Sequence, residues 1–403
     1  MTDNDKQSNQ LNLWVASIAV AMIAGSTAHA LPTGEQEAIP IGGGAYLYPT
    51  IGVNVKYSDN IFLQDNDEKS SLITVISPGA RLELNGEITE IALDFKADYG
   101  TYDNSHADDY IDSKTTLSVS IYPTERIAFF GELSYQEGHD ARGTYGQEGG
   151  AATNSSSPDE HNTLEISGGV KYGVDQVGAP QLEIGVSRSD RAFENNRAST
   201  RTRDLEKDRL NATLSYRIMP STSLVLEGVA TDIDYDRAVR DSKQYSLLAG
   251  ITWEATYQTE GYLKLGRERK DFDSSTIRDD SSMAWAVGVN WQPLSYSTVI
   301  FETSKGFGES SGTGSFIEGT ATSLTWEHDW NSFLGSSLAL SAGTDEYASN
   351  PREDDMLEFK ASLEYLMHPS LRVGAGYAYS ERDSNSAGLD YDLNIIEAYV
   401  IVN

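Results

Sequence analysis

Cysteine is absent from the 403-residue chain, and proline is scarce, with 11 residues. The lack of cysteine excludes disulfides, thiolate metal ligands and cysteine nucleophiles. Basic residues are also few, because 30 Lys and Arg stand against 61 Asp and Glu, and the formal net charge is −31. Such an excess of negative charge repels nucleic-acid phosphates, so no nucleic-acid partner is expected. A mean hydropathy of −0.42 is too polar for a helical membrane protein.

Long apolar runs are missing as well, apart from one at residues 11–30. This run ends at Ala30 in the small-residue pattern of a signal-peptide cleavage site. Lys6 is the only basic residue before it, so a retained membrane anchor is the alternative. The apolar core is short and interrupted by Gly25, which favours cleavage. We therefore predict a cleaved signal peptide over 1–30, and any later membrane crossing must be made by strands.

The rest of the chain is built from segments in which apolar and polar residues alternate. One segment has the apolar residues Leu210, Ala212, Leu214, Tyr216 and Ile218 at every second position, with polar residues between them. Successive side chains of a strand point to opposite faces, so each segment predicts a strand with one apolar and one polar face. A soluble sandwich would show the same alternation.

The connections between these segments have two lengths, which follow one another strictly. The short ones lie near 85–87, 123–125, 177–180, 220–221, 258–260, 293–295, 331–333 and 368–370. The long polar ones lie near 59–70, 103–112, 138–160, 190–206, 236–242, 271–280, 306–315, 346–355 and 382–390. Outer-membrane barrels have tight periplasmic turns and long external loops, whereas a soluble sandwich has no reason to sort its loops in this way.

These connections predict an all-β fold, a transmembrane antiparallel up-and-down β-barrel of about 18 strands over 46–403. Residues 31–45 are then a short periplasmic N-terminal segment, and the protein is expected in the outer membrane of a Gram-negative cell. Closure is required because an open sheet edge in hydrocarbon leaves backbone groups without hydrogen bonds. A barrel of this size usually encloses a water-filled lumen.

Aromatic residues near both ends of the strands predict two girdles at the membrane interfaces. Near the short turns stand Tyr48, Tyr122, Tyr172, Tyr216, Tyr257, Trp291, Tyr296, Trp326, Trp330 and Tyr365. Near the long loops stand Tyr57, Tyr102, Tyr110, Tyr135, Tyr235, Tyr245, Phe272, Tyr347, Tyr379 and Tyr391.

Basic residues supply the candidate functional sites. Those at predicted inward positions, as lumen contacts, are Lys96, Lys171, Arg209, Arg217, Lys264, Lys360 and Arg372. They face inward acidic residues, and such opposed charges can set ion selectivity. A basic loop adds Arg197, Arg201 and Arg203. For this loop the alternatives are an anion-contacting segment at the channel mouth and a salt-bridged surface loop.

No catalytic residues, metal ligands or cofactors are expected. His139-Asp140 and Glu160-His161 flank the longest loop, but their spacing matches no recognised ligand motif, so a solvated loop is favoured. The acidic stretches 64–68, 108–109 and 352–355 lack calcium-loop spacing and are interpreted as solvated faces.

The passage Tyr57-Ser58-Asp59-Asn60-Ile61-Phe62, followed by Val75-Ile76-Ser77-Pro78-Gly79, resembles the beginning of a family of beta-barrel porins. Genes of this family are often found within exopolysaccharide and capsule biosynthesis clusters. The resemblance is specific over roughly 46–84. It implies an outer-membrane barrel without catalytic residues, and an outlet for a secreted polysaccharide.

Two functions follow from this. The first, which the family resemblance favours, is export of exopolysaccharide or capsule, with the polysaccharide and periplasmic export machinery as partners. The second is general diffusion of small solutes, for which the third long loop, 138–160, is long enough to fold inward and narrow the lumen. A structural or adhesive surface protein is a weaker third alternative. In every case the barrel has outer-membrane lipid and lipopolysaccharide around it.

Overall fold

A computed structural model describes residues 38–403 except Ala238 and Tyr257. The predicted signal peptide over 1–30 and the girdle residue Tyr257 lie outside the described residues. Nineteen strands of the described residues form one sheet. Their bounds are β1 (Ile39–Gly42), β2 (Ala45–Ser58), β3 (Ser71–Asn85), β4 (Thr89–Tyr102), β5 (Tyr110–Thr124), β6 (Ile127–Asp140), β7 (Asp159–Gly173), β8 (Pro180–Phe193), β9 (Leu205–Met219), β10 (Thr222–Tyr235), β11 (Ser242–Thr256), β12 (Thr259–Phe272), β13 (Asp280–Leu294), β14 (Ser297–Gly308), β15 (Ile317–Asp329), β16 (Leu334–Tyr347), β17 (Glu353–His368), β18 (Leu371–Ser384) and β19 (Tyr391–Val402).

Strands β2 to β19 form a closed barrel of 18 antiparallel strands. Each strand pairs with its neighbours in sequence, and β19 closes the ring on β2 in a register that runs from Ile395 opposite Ser58 to Val402 opposite Ile51. Closure leaves no sheet edge exposed to lipid. The prediction of an up-and-down barrel with about 18 strands is therefore confirmed. Within the described part of the chain, no helix is long and apolar enough to cross a membrane.

Loop length alternates with chain position as predicted. Nine longer loops lie at one end, which we name L1 (59–70), L2 (103–109), L3 (141–158), L4 (194–204), L5 (236–241), L6 (273–279), L7 (309–316), L8 (348–352) and L9 (385–390). Most turns at the other end are shorter, such as 125–126 and 220–221. The end with L1 to L9 is the extracellular end by the asymmetry usual in such barrels.

The short strand β1 lies at the turn end, within the segment predicted to be periplasmic. Ile39 and Pro40 pair with Leu47 and Tyr46 at the start of β2. Gly43 and Gly44 make the connecting turn with φ of 66° and 83°, in the left-handed region that glycine enters without steric cost. The barrel begins at Ala45, one residue before the predicted start.

The two faces of the wall differ in chemistry. On β9, Leu210, Leu214 and Tyr216 are exposed and point outward, towards lipid, whereas the alternate positions from Arg209 to Arg217 face the lumen. The lipid face is therefore apolar and the inner face is polar and charged, as the alternating pattern predicts.

A charge should be tolerated on one face only. Leu214 is 44% exposed, and we expect Leu214→Lys to lower the stability of the folded barrel by roughly 2–4 kcal/mol, the usual penalty for a basic residue in mid-membrane. Thr213→Lys is the matched control, because Thr213 pairs with Glu183 and Glu227 on the inner face. Urea unfolding in lipid vesicles measures the free energy of unfolding of both variants, and equal losses of stability would contradict the assignment of the two faces.

The predicted aromatic girdle at the loop end is wrong at six of its ten residues. Near the turns, Tyr122, Tyr172, Tyr216, Trp291, Tyr296, Trp330 and Tyr365 are exposed as a girdle requires. Near the loops, Tyr57, Tyr135 and Tyr245 are exposed, but Tyr235 and Tyr391 are buried. With Tyr102, Tyr110, Phe272 and Tyr347 they occupy inward positions of their strands. An aromatic residue near a strand end lies close to the membrane interface. Whether its ring faces lipid or the lumen depends on its position in the alternation of the strand.

Candidate channel constriction at the extracellular mouth

L3 is anchored at its base by a buried ion-pair cluster. Asp140 ends β6 and Asp159 begins β7, and both carboxylates bind the guanidinium of Arg203 in L4, with 2.6 Å between Arg203 Nη1 and Asp159 Oδ2. Gln147 Nε2 donates to Asp159 Oδ1 at 2.5 Å. Because these charges are removed from water, each needs its partner, and the cluster holds both ends of L3 in one geometry.

The tip of L3 reaches strands on another side of the barrel. Glu148 accepts hydrogen bonds from Arg352 Nη1 at 2.7 Å and from Arg382 Nη1 at 2.5 Å. Arg352 ends L8 and Arg382 lies in β18, and neither is near β6 or β7 in the ring. The contact therefore requires L3 to extend inward over the mouth of the lumen.

L1 also folds inward and supports L3. Phe62 and Leu63 are buried, and Leu63 packs against Tyr391 in a small apolar cluster. The guanidinium of Arg142 lies 4.2 Å from the ring centroid of Phe62. Gly143 has a φ of 95°, and a Cβ there would collide with the backbone of Phe62, so only glycine permits this close approach of L3 to L1.

L7 narrows the mouth at a third place. β14 pairs with β13 only as far as Lys305, and beyond it the Phe307 N–H donates to Glu268 on β12 at 2.7 Å. Glu309 at the start of L7 pairs with Lys270 and accepts from the Tyr235 hydroxyl at 2.6 Å. Burial opposes the charge on Glu309, but Lys270 and Lys207 outweigh it, so its pKa lies below its usual value. L7 therefore covers the inner wall at β10 to β12.

The seven predicted lumen residues all lie on the inner face, but the structure does not bring them together. Most have nearby acidic partners: Lys96 with Asp98, Arg217 with Asp175, Lys264 with Glu227, Lys360 with Glu358 and Arg372 with Glu364. Lys171 pairs with Glu183 in the strand register, and Arg209 faces inward on β9. Their role as solute contacts stays a prediction.

The three arginines of L4 have different positions. Arg197 pairs with Asp204 at 2.5 Å and Arg201 with Asp236 at 2.5 Å, and both are substantially exposed. Arg203 is buried beneath L3. These ion pairs are those of a salt-bridged loop, and Arg203 is a structural anchor. Contact of any of the three arginines with an anion stays a prediction.

Two sequence-based interpretations of loop residues are wrong. The acidic stretches 108–109 and 352–355 are predicted to be solvated faces, but Asp108, Arg352 and Asp354 are buried. His139 and His161 lie in strands rather than in a solvated loop, with His139 Nδ1 2.9 Å from Asp112 Oδ1 and His161 facing Asp140. Among the described residues no group of three or more potential ligands could hold a metal ion.

The residues that narrow the mouth were not predicted from sequence individually. Glu148, Arg142 and Arg382 lie in segments with no local motif, and Glu148 meets Arg352 across 204 positions of chain. The only available signal was the length of the third loop.

A closed barrel with an apolar outer face, a polar lumen and an inward loop is the structure of an outer-membrane channel. The family model described as "Putative beta-barrel porin 2" matches residues 38–403. The chain belongs to this family, is located in the Gram-negative outer membrane, and is a channel rather than an enzyme. No curated protein matches the sequence.

Three solved structures are similar to this chain to different degrees. OccK2 (OpdF) of Pseudomonas aeruginosa, in complex with glucuronate, has a TM-score of 0.50 and 12% identity, over 88% of this chain and 98% of that one. OprD of the same organism has a TM-score of 0.45 and 13% identity, over 91% and 96%. The FrpB iron transporter of Neisseria meningitidis has a TM-score of 0.48 and 9% identity, over 83% of this chain and 61% of the FrpB chain. This chain therefore spans about three-fifths of the length of FrpB. At these identities OccK2 shows the fold alone.

Proposed function

We propose that this channel admits small hydrophilic solutes by diffusion and that L3 sets the size limit at its extracellular mouth. The observation that carries the proposal is the contact of Glu148 with Arg352 and Arg382. A loop fastened to a distant part of the wall reduces the open cross-section, which suits small solutes better than a wide polymer.

Below the loops, the inner wall supports passage rather than tight binding. Its charges are of both signs and mostly paired nearby, as with Lys96 and Asp98. Such a wall offers weak, repeated contacts and no single strong counter-charge, so a solute can enter and leave. The exposed apolar band, which includes Leu247 and Leu265, would meet outer-membrane lipid and lipopolysaccharide.

Export of exopolysaccharide or capsule is the second candidate, supported by the resemblance of residues 46–84 to porins of polysaccharide gene clusters. A polymer strand in this channel would have to displace L3, breaking the bonds of Glu148 and the 2.9 Å bond from Gln64 Nε2 to the Gly149 carbonyl. Polysaccharide and periplasmic export machinery would then be the partners that open it.

Two assays separate the candidates. In proteoliposomes, the swelling rate should be high for monosaccharides and fall steeply for longer oligosaccharides, because L3 limits the opening. Deletion of the gene should leave the secreted polysaccharide unchanged. Loss of secreted polymer with periplasmic accumulation, restored by a plasmid copy, would instead assign the barrel to export and overturn the proposal.

A further inference from the structure

We propose that Arg352 and Arg382 form a carboxylate-binding subsite on the inner wall, that Glu148 of L3 is its resident ligand, and that small soluble carboxylates compete for it. This inference rests on the proposed diffusion of small solutes and names the solute class that the mouth would recognise.

The donors match a carboxylate in number and direction. Arg352 donates from Nη1 to Glu148 Oε2 at 2.7 Å and from Nη2 to Oε1 at 3.1 Å, which is the fork geometry of a guanidinium on a carboxylate. Arg382 Nη1 adds a third bond to Oε1 at 2.5 Å. Both oxygens of the side chain are therefore held, as they would be in a bound solute.

The subsite is built by the barrel rim and not by L3. Asp354 on β17 accepts from Arg352 Nε at 2.9 Å, and Ser384 Oγ donates to Asp354 at 2.6 Å. The Arg352 guanidinium lies 4.3 Å from the ring centroid of Tyr347. These contacts involve no residue of L3, so the position of Arg352 does not depend on the loop.

Arg382 is held in the same way from the opposite side. Its Nε donates to the Leu389 carbonyl at 2.7 Å, and its guanidinium lies 4.9 Å from the ring centroid of Tyr391. Leu389 belongs to L9 and Tyr391 to β19. Both arginines therefore stay in place when L3 moves away, and the carboxylate position is left open.

Charge and burial make an empty subsite unfavourable. The side chains of Arg352 and Arg382 are only 2% and 8% exposed. Burial opposes the charge on Arg352, but its bonds to Glu148 and Asp354 outweigh this and raise its pKa. The Asp354 carboxylate is bonded to Arg352 and not to Arg382. Without Glu148, the guanidinium of Arg382 therefore has no carboxylate bonded to it among the described residues. A buried charge without a partner is costly, which favours entry of another anion.

One donor in the cluster is unused even with Glu148 bound. Arg382 Nη2 is buried and has no hydrogen-bond partner in the part of the chain that the structure describes. Asp345 also faces the cluster, but its Oδ1 is likewise without a partner, so it does not satisfy Arg382. A solute with an additional oxygen beside its carboxylate, such as a hydroxy acid or a dicarboxylate, could accept a hydrogen bond from Arg382 Nη2.

The test uses block of chloride current by succinate in planar bilayers. In Glu148→Ala the subsite is vacant, so the half-blocking succinate concentration should fall at least tenfold below that of the wild type. Glu148→Gln, which preserves shape, should show the same direction. Glu68→Ala, at an exposed acid of L1, is the control and should match the wild type. Glycerol, which is uncharged, should block none of the variants.

Variants of Arg382 test whether succinate blocks the channel at this subsite. Adding Arg382→Ala to Glu148→Ala should abolish the gain, and Arg382→Lys should restore part of it. Block in Glu148→Ala at the wild-type concentration, or block that persists without Arg382, would overturn the subsite. If no variant conducts, the proposed function fails, and calorimetric titration of folded Glu148→Ala with succinate decides the subsite alone: binding supports it and absence of binding overturns it.

Discussion

Replacing Arg203 by alanine is expected to destabilise the folded barrel by about 3–5 kcal/mol, because the substitution removes the counter-charge that two buried carboxylates share. The Arg203 side chain is 8% exposed, and its partners Asp140 and Asp159 are 5% and 2% exposed. Arg191 also pairs with Asp140, but Asp159 would lose the only arginine shown bonded to it among the described residues. L3 should detach together with the lost stability, since both of its ends belong to this cluster.

Arg201→Ala is a matched control two positions away. Arg201 pairs with Asp236 at 2.5 Å, but its side chain is 55% exposed, and an exposed pair contributes less than about 1 kcal/mol. Urea unfolding in lipid vesicles gives both free energies, and limited proteolysis reports release of L3. Similar losses for the two variants would contradict the buried-anchor assignment of Arg203.

Shortening L3 is expected to raise the single-channel conductance several-fold. Replacing residues 143–157 by a short Gly-Ser connection removes Glu148 and the helix at Gly150–Asn154, and with them the material that extends over the mouth. The barrel wall should be unaffected, because β6 and β7 pair with each other from Asp140 and Asp159 downward without L3. Conductance in planar bilayers and swelling with longer oligosaccharides should increase together.

Shortening L6 (273–279) is the control for this deletion. Its hydrogen bonds stay at its own base or go to the neighbouring L5, such as those from the Phe272 N–H to Asp279 Oδ1 and from the Asp273 N–H to the Asp241 carbonyl, both at 3.0 Å, so the conductance should stay at the wild-type value. An L3-shortened barrel with unchanged conductance and unchanged solute size limit would show that the narrowest point lies elsewhere in the lumen.

The wall of this barrel could be predicted from sequence because its information is local. Alternation along β9 assigns Leu214 and Thr213 to opposite faces without knowledge of any partner strand. Loop lengths sorted by position fix the strand number, and closure then follows from hydrogen bonding in hydrocarbon. The faces of Tyr235 and Tyr391 were assigned wrongly because closeness to a strand end was given more weight than alternation.

The constriction could not be predicted because its contacts are not local. Glu148 and Arg382 are 234 positions apart, and no short motif marks either residue. The charged stretch at Arg352 has the composition of a solvated face, but Arg352 is buried among residues distant in the chain, including Glu148 of L3 and Ser384 beside Asp354. Similarly, nothing in the alternation of β14 indicates that it leaves β13 beyond Lys305.

The central claim is that L3 lies across the extracellular mouth, and a distance measurement between L3 and L9 tests it most directly. Because the chain has no cysteine, nitroxide labels can be placed at Thr153→Cys and Ala387→Cys, both at exposed positions, without removing other thiols. Pulsed electron paramagnetic resonance in reconstituted membranes should then give one narrow, short distance, since Gly149 of L3 lies against Gly388 of L9. A long or broad distribution, as from a loop that stands away from the lumen, would contradict the account.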